Sequence, residues 1–301
     1  MMTITAVLAA LLVAGGLSLR YAIARNGPAV VDTVDRLTGS ERRVALVEQA
    51  RFGDHPRHTV AVYRAGQADA PLPVILFAHG GSWNSGDPAD YGFVARGLAP
   101  EGFVVVLAGY RLHPDVQYPA MIEDMAAAVA WTRENIGRHG GDPDRIVLMG
   151  HSAGAYNVVM TALDRQWLGR EGLDANALAG VIGLAGPYDF YPFDSDSTRA
   201  SFGEAHYPQR TQPVSHARVD APPLLLLAGE ADTTVKPRNT RALAMAMQQA
   251  GGAAQTGFYP GMDHADILLA LASPWRRDRS VIDRIVAFAR EPSVPVQDEM
   301  R

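Results

Sequence analysis

The pentapeptide Gly150-His151-Ser152-Ala153-Gly154 constrains the fold of this chain more than any other sequence feature. It follows a short apolar run at residues 146–149, which is typical of a strand buried on both faces, and it leads into a helical stretch at residues 153–163. A Gly-x-Ser-x-Gly pattern between a strand and a helix predicts a sharp, strained turn at the serine, beside which a Cβ would clash. We therefore expect the Ser152 hydroxyl to project from the carboxyl edge of a sheet.

Strand-like and helix-like segments alternate along most of the chain. Apolar runs of strand length lie at residues 74–78, 103–108, 146–149, 181–184 and 224–227. This alternation predicts an α/β fold, with a mostly parallel central sheet and helices on both faces. Residues 190–222, which are rich in Pro, Asp and Ser, lack a clear pattern and predict a lid or binding loop.

Composition narrows the possible classes of function. The 301 residues carry a net charge of −5, with no dense basic run, so we expect no nucleic-acid partner. The absence of cysteine excludes disulfides, thiolate zinc sites and cysteine nucleophiles. We predict a connector at residues 25–45, one catalytic domain at residues 46–290 and a tail at residues 291–301.

The first 19 residues carry no charged side chain. As a helix rising about 1.5 Å per residue, this segment would just span a hydrocarbon core of about 30 Å. Ala22-Ile23-Ala24 resembles a signal-peptide cleavage site, but no Lys or Arg precedes the apolar run, and Arg20 lies between that run and the site. We expect a retained membrane anchor within residues 1–24, with a cleaved signal peptide and a packed soluble helix as alternatives.

A second glycine-containing motif, His79-Gly80-Gly81-Ser82-Trp83, directly follows the apolar run at residues 74–78. Acyl transfer builds negative charge on a carbonyl oxygen, which backbone N–H groups must already face. We expect donors from Gly81, Ser82 and Ala153, with Gly80 as an alternative and an ordinary Gly-Gly turn as the competing interpretation. Trp83 and Tyr188 are candidate pocket walls or core residues.

Candidates for a general base and its orienting acid lie after the nucleophile in the chain. Asp232 follows the strand-like run at residues 224–227, and His264 follows another at residues 256–259. Carboxyl ends of parallel strands meet at one edge of a sheet, so we expect both side chains near Ser152. The weaker candidates are Glu230 for the acid and His113, His206 and His216 for the base. We expect no metal, since the carboxylates near His264 lack a ligand spacing.

Six motifs together resemble a known family. They are HGGSW at residues 79–83, YRLHPD at 110–115, GGDPDRI at 140–146, GHSAG at 150–154, GEADTTV at 229–235 and YPGMDH at 259–264. The set resembles the hormone-sensitive-lipase and feruloyl/xylan-esterase (BD-FAE-like) branch of the α/β-hydrolases, and it is also similar to kynurenine formamidases. The resemblance implies a Ser152–Asp232–His264 triad, an oxyanion hole from the HGGSW loop with Ala153, a small cap and no cofactor. Ser82 departs from the HGGG form common in the lipase-like branch.

The expected activity is hydrolysis of a small or short-chain carboxylic ester through an acyl-enzyme on Ser152. An arylformamidase, amidase or exopeptidase of the same fold is one alternative. A membrane-tethered binding protein that keeps the fold without turnover is another.

Overall fold

One eight-stranded sheet organises the chain. The structure, a computed structural model, describes residues 26–39 and 44–292. The strands are β1 Val44–Arg51, β2 Thr59–Ala65, β3 Leu72–Ala78, β4 Val104–Ala108, β5 Gly141–His151, β6 Gly180–Leu184, β7 Leu224–Gly229 and β8 Ala254–Tyr259. The helices are α1 at residues 26–38, α2 Gly92–Leu98, α3 Ala120–Asn135, α4 Ala153–Leu163, α5 Gln166–Arg170, α6 Asp196–Phe202, α7 Arg238–Gln249, α8 Asp266–Leu269 and α9 Ser280–Arg290.

The strands lie in the order β1-β2-β4-β3-β5-β6-β7-β8. β1 pairs with β2, and β2 with β4, in antiparallel fashion, whereas every pair from β4 to β8 is parallel. The predicted α/β class with a mostly parallel sheet is therefore confirmed. Since the parallel strands point the same way, the loops after β3, β5, β7 and β8 emerge at one edge.

Each face of the sheet has its own hydrophobic core. In β3, Val74, Leu76 and Ala78 point into a core shared with α3, α4 and α7, while Ile75 and Phe77 point into one shared with α2, α8 and α9. Helices on both faces bury β4 completely and β3 from its second residue onward, which explains why the sequences of these strands are continuous apolar runs.

Helix α1 is fixed to the domain by buried charges. Asp32 and Asp35 are almost fully buried, and both accept hydrogen bonds from Arg96 of α2, at 2.6 Å and 2.5 Å. Asp35 also accepts the Ser273 N–H at 2.7 Å. The predicted connector thus contains a helix that packs against α2 and against the segment after α8.

Three local features differ from the sequence-based expectation. β1, within and just after the expected connector, was missed because its residues are mostly exposed and lack an apolar alternation. β5 begins at Gly141, inside the expected turn, because Leu72 of β3 pairs with Gly141. The stretch at residues 190–222 contains α6, which a reciprocal Ser195–Thr198 capping box begins.

The predicted anchor lies outside the described residues. Residues 1–25, 40–43 and 293–301 are not described, and they include the expected anchor and most of the expected tail. Within the described ranges, no helix combines the length and the apolar character that crossing a membrane requires.

The Arg96 clamp gives a test of how α1 is held. Replacing Arg96 with Leu leaves two buried carboxylates without their common partner, and we expect the free energy of unfolding to fall by about 3 kcal/mol. Urea denaturation measures this change. Arg36→Ala is the matched control, because the exposed Arg36 also bonds Asp32, and it should cost less than about 1 kcal/mol. Equal effects of the two variants would contradict the clamp.

Candidate active site

Ser152 occupies a strained turn between β5 and α4. Its backbone has φ +55° and ψ −121°, a region that non-glycine residues rarely adopt. A Cβ on Gly150 would overlap the backbone of Gly154, and a Cβ on Gly154 would overlap the carbonyls of Ala78 and His79. The two glycines therefore let the turn close against the end of β3. The Ser152 N–H donates to Leu184 O of β6 at 2.9 Å, which fixes the turn further.

Three side chains from separate loops form one hydrogen-bonded chain. The Ser152 hydroxyl donates to His264 Nε2 over 2.9 Å, and His264 Nδ1–H donates to Asp232 Oδ2 over 2.7 Å. The Asp232 residue is 3% exposed, and its second oxygen accepts the N–H groups of Thr234 and Val235, both at 2.8 Å. Those amides hold the carboxylate in place, and the carboxylate fixes which imidazole nitrogen faces the serine.

The loops that carry Asp232 and His264 are bonded to each other. Glu230 N–H donates to Tyr259 O, and Ala231 N–H donates to Met262 O, each at 3.0 Å. Gly229 lies so close to Met262 O that a Cβ there would overlap it. The separation between carboxylate and imidazole therefore rests on backbone contacts as well as on their own hydrogen bond.

Two carbonyl groups of the loop after β3 accept hydrogen bonds within the loop. Gly80 O accepts from His79 Nδ1–H at 2.7 Å, and Gly81 O accepts from Ser85 Oγ at 3.0 Å. In a trans peptide the N–H points opposite to the C=O, so the Gly81 N–H points away from His79 Nδ1, and the Ser82 N–H points away from Ser85 Oγ. Within residues 26–39 and 44–292, no protein acceptor takes the N–H of Gly81, Ser82 or Ala153. These donors are free for a ligand oxygen.

Gly80 serves this loop by its small size. A Cβ on Gly80 would lie 3.2 Å from the Ser152 Cβ and 3.1 Å from His151 Nδ1. The close approach brings the loop after β3 directly against the turn at Ser152. Gly81, at φ +124°, adopts a backbone conformation that side chains disfavour.

His79 supports the loop from beneath. Its ring stacks between Tyr91 and Tyr110, with centroids 5.7 and 4.5 Å away, and the Tyr110 hydroxyl donates to His79 O at 2.8 Å. Burial lowers the pKa of His79 to about 4, so the ring stays neutral and keeps its hydrogen on Nδ1 for Gly80 O.

His151 supports the loop that carries His264. Its Nε2–H donates to His264 O at 3.0 Å, and the two rings lie 4.8 Å apart. Burial, followed by the nearby His264, lowers the pKa of His151 to about 3. The variable position of the pentapeptide thus holds the His264 loop, a role that only the folded chain reveals.

Trp83 and Tyr188 do not line the cavity at Ser152. Trp83 is 3% exposed, packs on Tyr156 and Phe202, and donates its Nε1–H to Asn157 Oδ1 at 3.1 Å. Tyr188 is fully buried. Of the two alternatives for these positions, pocket wall or core residue, the structure shows core packing, because the loop after β3 directs Trp83 into the core.

The weaker sequence candidates lie elsewhere. Glu230 is exposed, and its Oε1 lies 3.7 Å from Arg241 Nη2. His206 and His216 line a separate surface pocket beneath Tyr207. Among the described residues, neither these side chains nor His113 bonds Ser152 or His264.

A cavity of about 920 Å³ opens over Ser152, Gly81 and His264. Its walls are mainly apolar and come from α1, α2 and the segment after His264. The larger apolar members from α1 and from that segment are Pro28, Val30, Val31, Val34, Ala265, Leu268, Leu269, Pro274 and Trp275. Sequence reasoning missed the α1 wall. The only available signal was the valine spacing at positions 30, 31 and 34, which indicates one helix face.

The strained strand-to-helix turn at Ser152 lies at the carboxyl edge of the mostly parallel sheet, beside the loops that carry Asp232 and His264. This arrangement places the protein in the α/β-hydrolase fold class. The BD-FAE family model matches residues 60–247, which is more than half of the chain. The chain therefore belongs to the BD-FAE family.

Similar proteins include several esterases. Esterase LipC of Mycobacterium tuberculosis is 31% identical over 251 residues, covering 76% of this chain and 62% of LipC. The isoprenylcysteine alpha-carbonyl methylesterase ICME of Arabidopsis thaliana is 27% identical over 239 residues, covering 72% and 56%. The chain thus spans somewhat over half the length of these two relatives. Among solved structures, esterase B of Lactobacillus rhamnosis superimposes with a TM-score of 0.74 at 20% identity, covering 94% and 96%, which supports the fold.

The two buried neutral histidines predict a pH dependence of stability. In the unfolded chain a histidine has a pKa of about 6.5, whereas burial lowers the pKa of His79 to about 4 and that of His151 to about 3 in the folded protein. The contribution of these two histidines to the free energy of unfolding should be complete above pH 6.5. Below that pH it should fall by about 1 kcal/mol per pH unit for each histidine, because only the unfolded chain binds the protons.

Urea unfolding between pH 7.5 and pH 5 measures that slope. His151→Gln removes one titrating group and should flatten the slope by close to one proton. His206→Gln changes an exposed histidine and serves as the matched control. A wild-type slope that His151→Gln leaves unaltered would contradict the assignment.

Proposed function

We propose that this protein hydrolyses carboxylic esters through an acyl-enzyme formed on Ser152. The observation that supports the proposal best is the continuous hydrogen-bonded chain from Ser152 Oγ through His264 to Asp232, beside free amides at Gly81, Ser82 and Ala153. The esterase names of similar proteins agree with it.

In the acylation step, Ser152 Oγ attacks the ester carbonyl carbon while His264 Nε2 takes the hydroxyl proton. The carbonyl oxygen becomes an oxyanion, which the free amides can stabilise by hydrogen bonds. The alcohol leaves as the C–O bond breaks, and it takes the proton from His264 Nε2. The acyl group then remains on Ser152.

In the deacylation step, a water molecule takes the place of the alcohol. His264 Nε2 accepts a proton from the water as its oxygen attacks the acyl carbon, and the same amides hold the second oxyanion. Collapse returns the proton to Ser152 Oγ and releases the carboxylic acid. Asp232 bonds Nδ1–H throughout and stabilises the imidazolium.

Labelling with a fluorophosphonate probe tests the nucleophile. The full chain should be labelled, and Ser152→Ala should not, since the probe requires an activated serine hydroxyl. Ser215→Ala, an exposed serine outside the cavity, is the matched control and should be labelled like the wild type. Asp232→Asn should lower kcat on p-nitrophenyl acetate by about 10⁴-fold, because the imidazole loses its orienting partner.

Two outcomes would contradict this function. A folded wild type that resists labelling would favour the binding-protein alternative. Turnover of N-formylkynurenine or aminoacyl amides far faster than of any ester would favour the formamidase or amidase alternative.

We also propose that residues 1–19 tether the protein to a membrane. The support is the uncharged apolar run of these residues, which is as long as a bilayer-spanning helix requires. The full chain should sediment with membranes and resist extraction at high salt, whereas a chain lacking residues 1–24 should remain in the supernatant. If expression of the full chain instead yields an exported protein that lacks the N-terminal segment, that segment is a cleaved signal peptide.

A further inference from the structure

We propose that helix α1 and residues 265–275 form the binding site for an extended apolar chain of the substrate. The preferred ester would then carry a medium-length apolar chain rather than a short one, on either its acyl or its alcohol side. The inference rests on the proposed esterase function and specifies the substrate class of the same site.

The first observation is the character of the two walls. Val30 and Val34 of α1 lie one helical turn apart and line the cavity above Ser152. Leu269 and Trp275, which follow His264 in the chain, line the same space, and Trp275 is 43% exposed. Partly exposed apolar walls beside a reactive hydroxyl favour an apolar ligand, because covering them removes apolar surface from water.

The three charged side chains in the cavity wall already form hydrogen bonds within the chain. Arg57 donates to Gly86 O at 2.9 Å, Asp90 accepts from Asn26 at 2.7 Å, and Asp87 caps the turn that begins at Pro88. Each of these side chains already has a partner within the chain. The cavity, at about 920 Å³, lies toward the upper end of ligand-pocket sizes, so it exceeds the needs of an acetyl group.

The wall is also preformed. Asp32 and Asp35 of α1 accept hydrogen bonds from Arg96 of α2. Asp35 also accepts one from the Ser273 N–H, so the Asp35 side chain joins α1 to residues 265–275. A wall that is already fixed binds an apolar chain without the entropic cost of ordering a loop.

Both walls lie outside residues 60–247, the part that matches the family. The nucleophile and the glycine loop belong to the matched part, whereas α1 and the Leu269–Trp275 side belong to flanking sequence. The match to the family at residues 60–247 therefore does not by itself supply the chain-length preference.

Chain-length series on the full protein test the inference in two arms. The acyl arm uses p-nitrophenyl acetate, butyrate and octanoate, and the alcohol arm uses ethyl, butyl and octyl acetate. In one of the arms, kcat/KM should rise about fourfold for each methylene that the walls cover. A flat or falling profile in both arms would overturn the inference.

Variants locate the effect on the walls. Val34→Trp fills part of the cavity. In the arm that shows the rise, it should lower the ratio of kcat/KM for the eight-carbon ester to kcat/KM for the two-carbon ester at least tenfold. Trp275→Ala, at a position that is 43% exposed, should lower the same ratio because it removes apolar surface from the cavity wall. Leu37→Ala is the matched control, since Leu37 is on α1 but 80% exposed and outside the cavity, and it should leave every rate unchanged.

Fluorophosphonate labelling of each variant separates the two ways to fail. A labelled wild type that hydrolyses acetate, but whose chain-length ratio neither Val34→Trp nor Trp275→Ala alters, would overturn the α1 site and leave the esterase function intact. An unlabelled wild type without acetate turnover would overturn the esterase function and this inference together.

Discussion

The strained turn at Ser152 is the constraint on which the rest of the site depends. A positive φ at a non-glycine residue costs about 1–3 kcal/mol and persists only where the surroundings enforce it. Here the enforcement comes from Gly154 packed on the end of β3 and from the Ser152 N–H bonded to β6. The same packing brings Gly80 against Ser152, so one backbone conformation positions both the hydroxyl and the free amides. The site is therefore built into the sheet edge.

Buried polar groups orient the side chains and loops that surround this turn. The hydrogen-bond chain that ends at Asp232 sets the imidazole orientation, and low exposure strengthens each bond in the chain. Burial keeps His79 and His151 neutral, which lets each donate a single hydrogen bond to a carbonyl of a site loop. The supporting histidines thus act as fixed donors, and His264 is the imidazole that contacts the serine.

The part of the chain that matches the family model contains some of the site residues, and the flanking sequence contains the others. The match at residues 60–247 contains Ser152, Asp232 and the glycine loop, but His264 and both apolar walls lie beyond it. The imidazole still reaches the serine because backbone bonds join the loops after β7 and β8. The flanking elements α1 and α8 line the cavity beside this hydrogen-bond chain, so they shape the space around Ser152.

The order of motifs along the chain was enough to predict the α/β class, the turn at Ser152 and the positions of Asp232 and His264, because buried strands and tight turns demand particular residues locally. The packing of α1, the pairing of β1 and the inward course of Trp83 depend on contacts between distant segments, and no local pattern encodes them. The sequence alone therefore determined which polar groups could meet at the edge of the sheet. Only the tertiary structure decided what surrounds them, since a cavity wall is defined by the residues that meet across it.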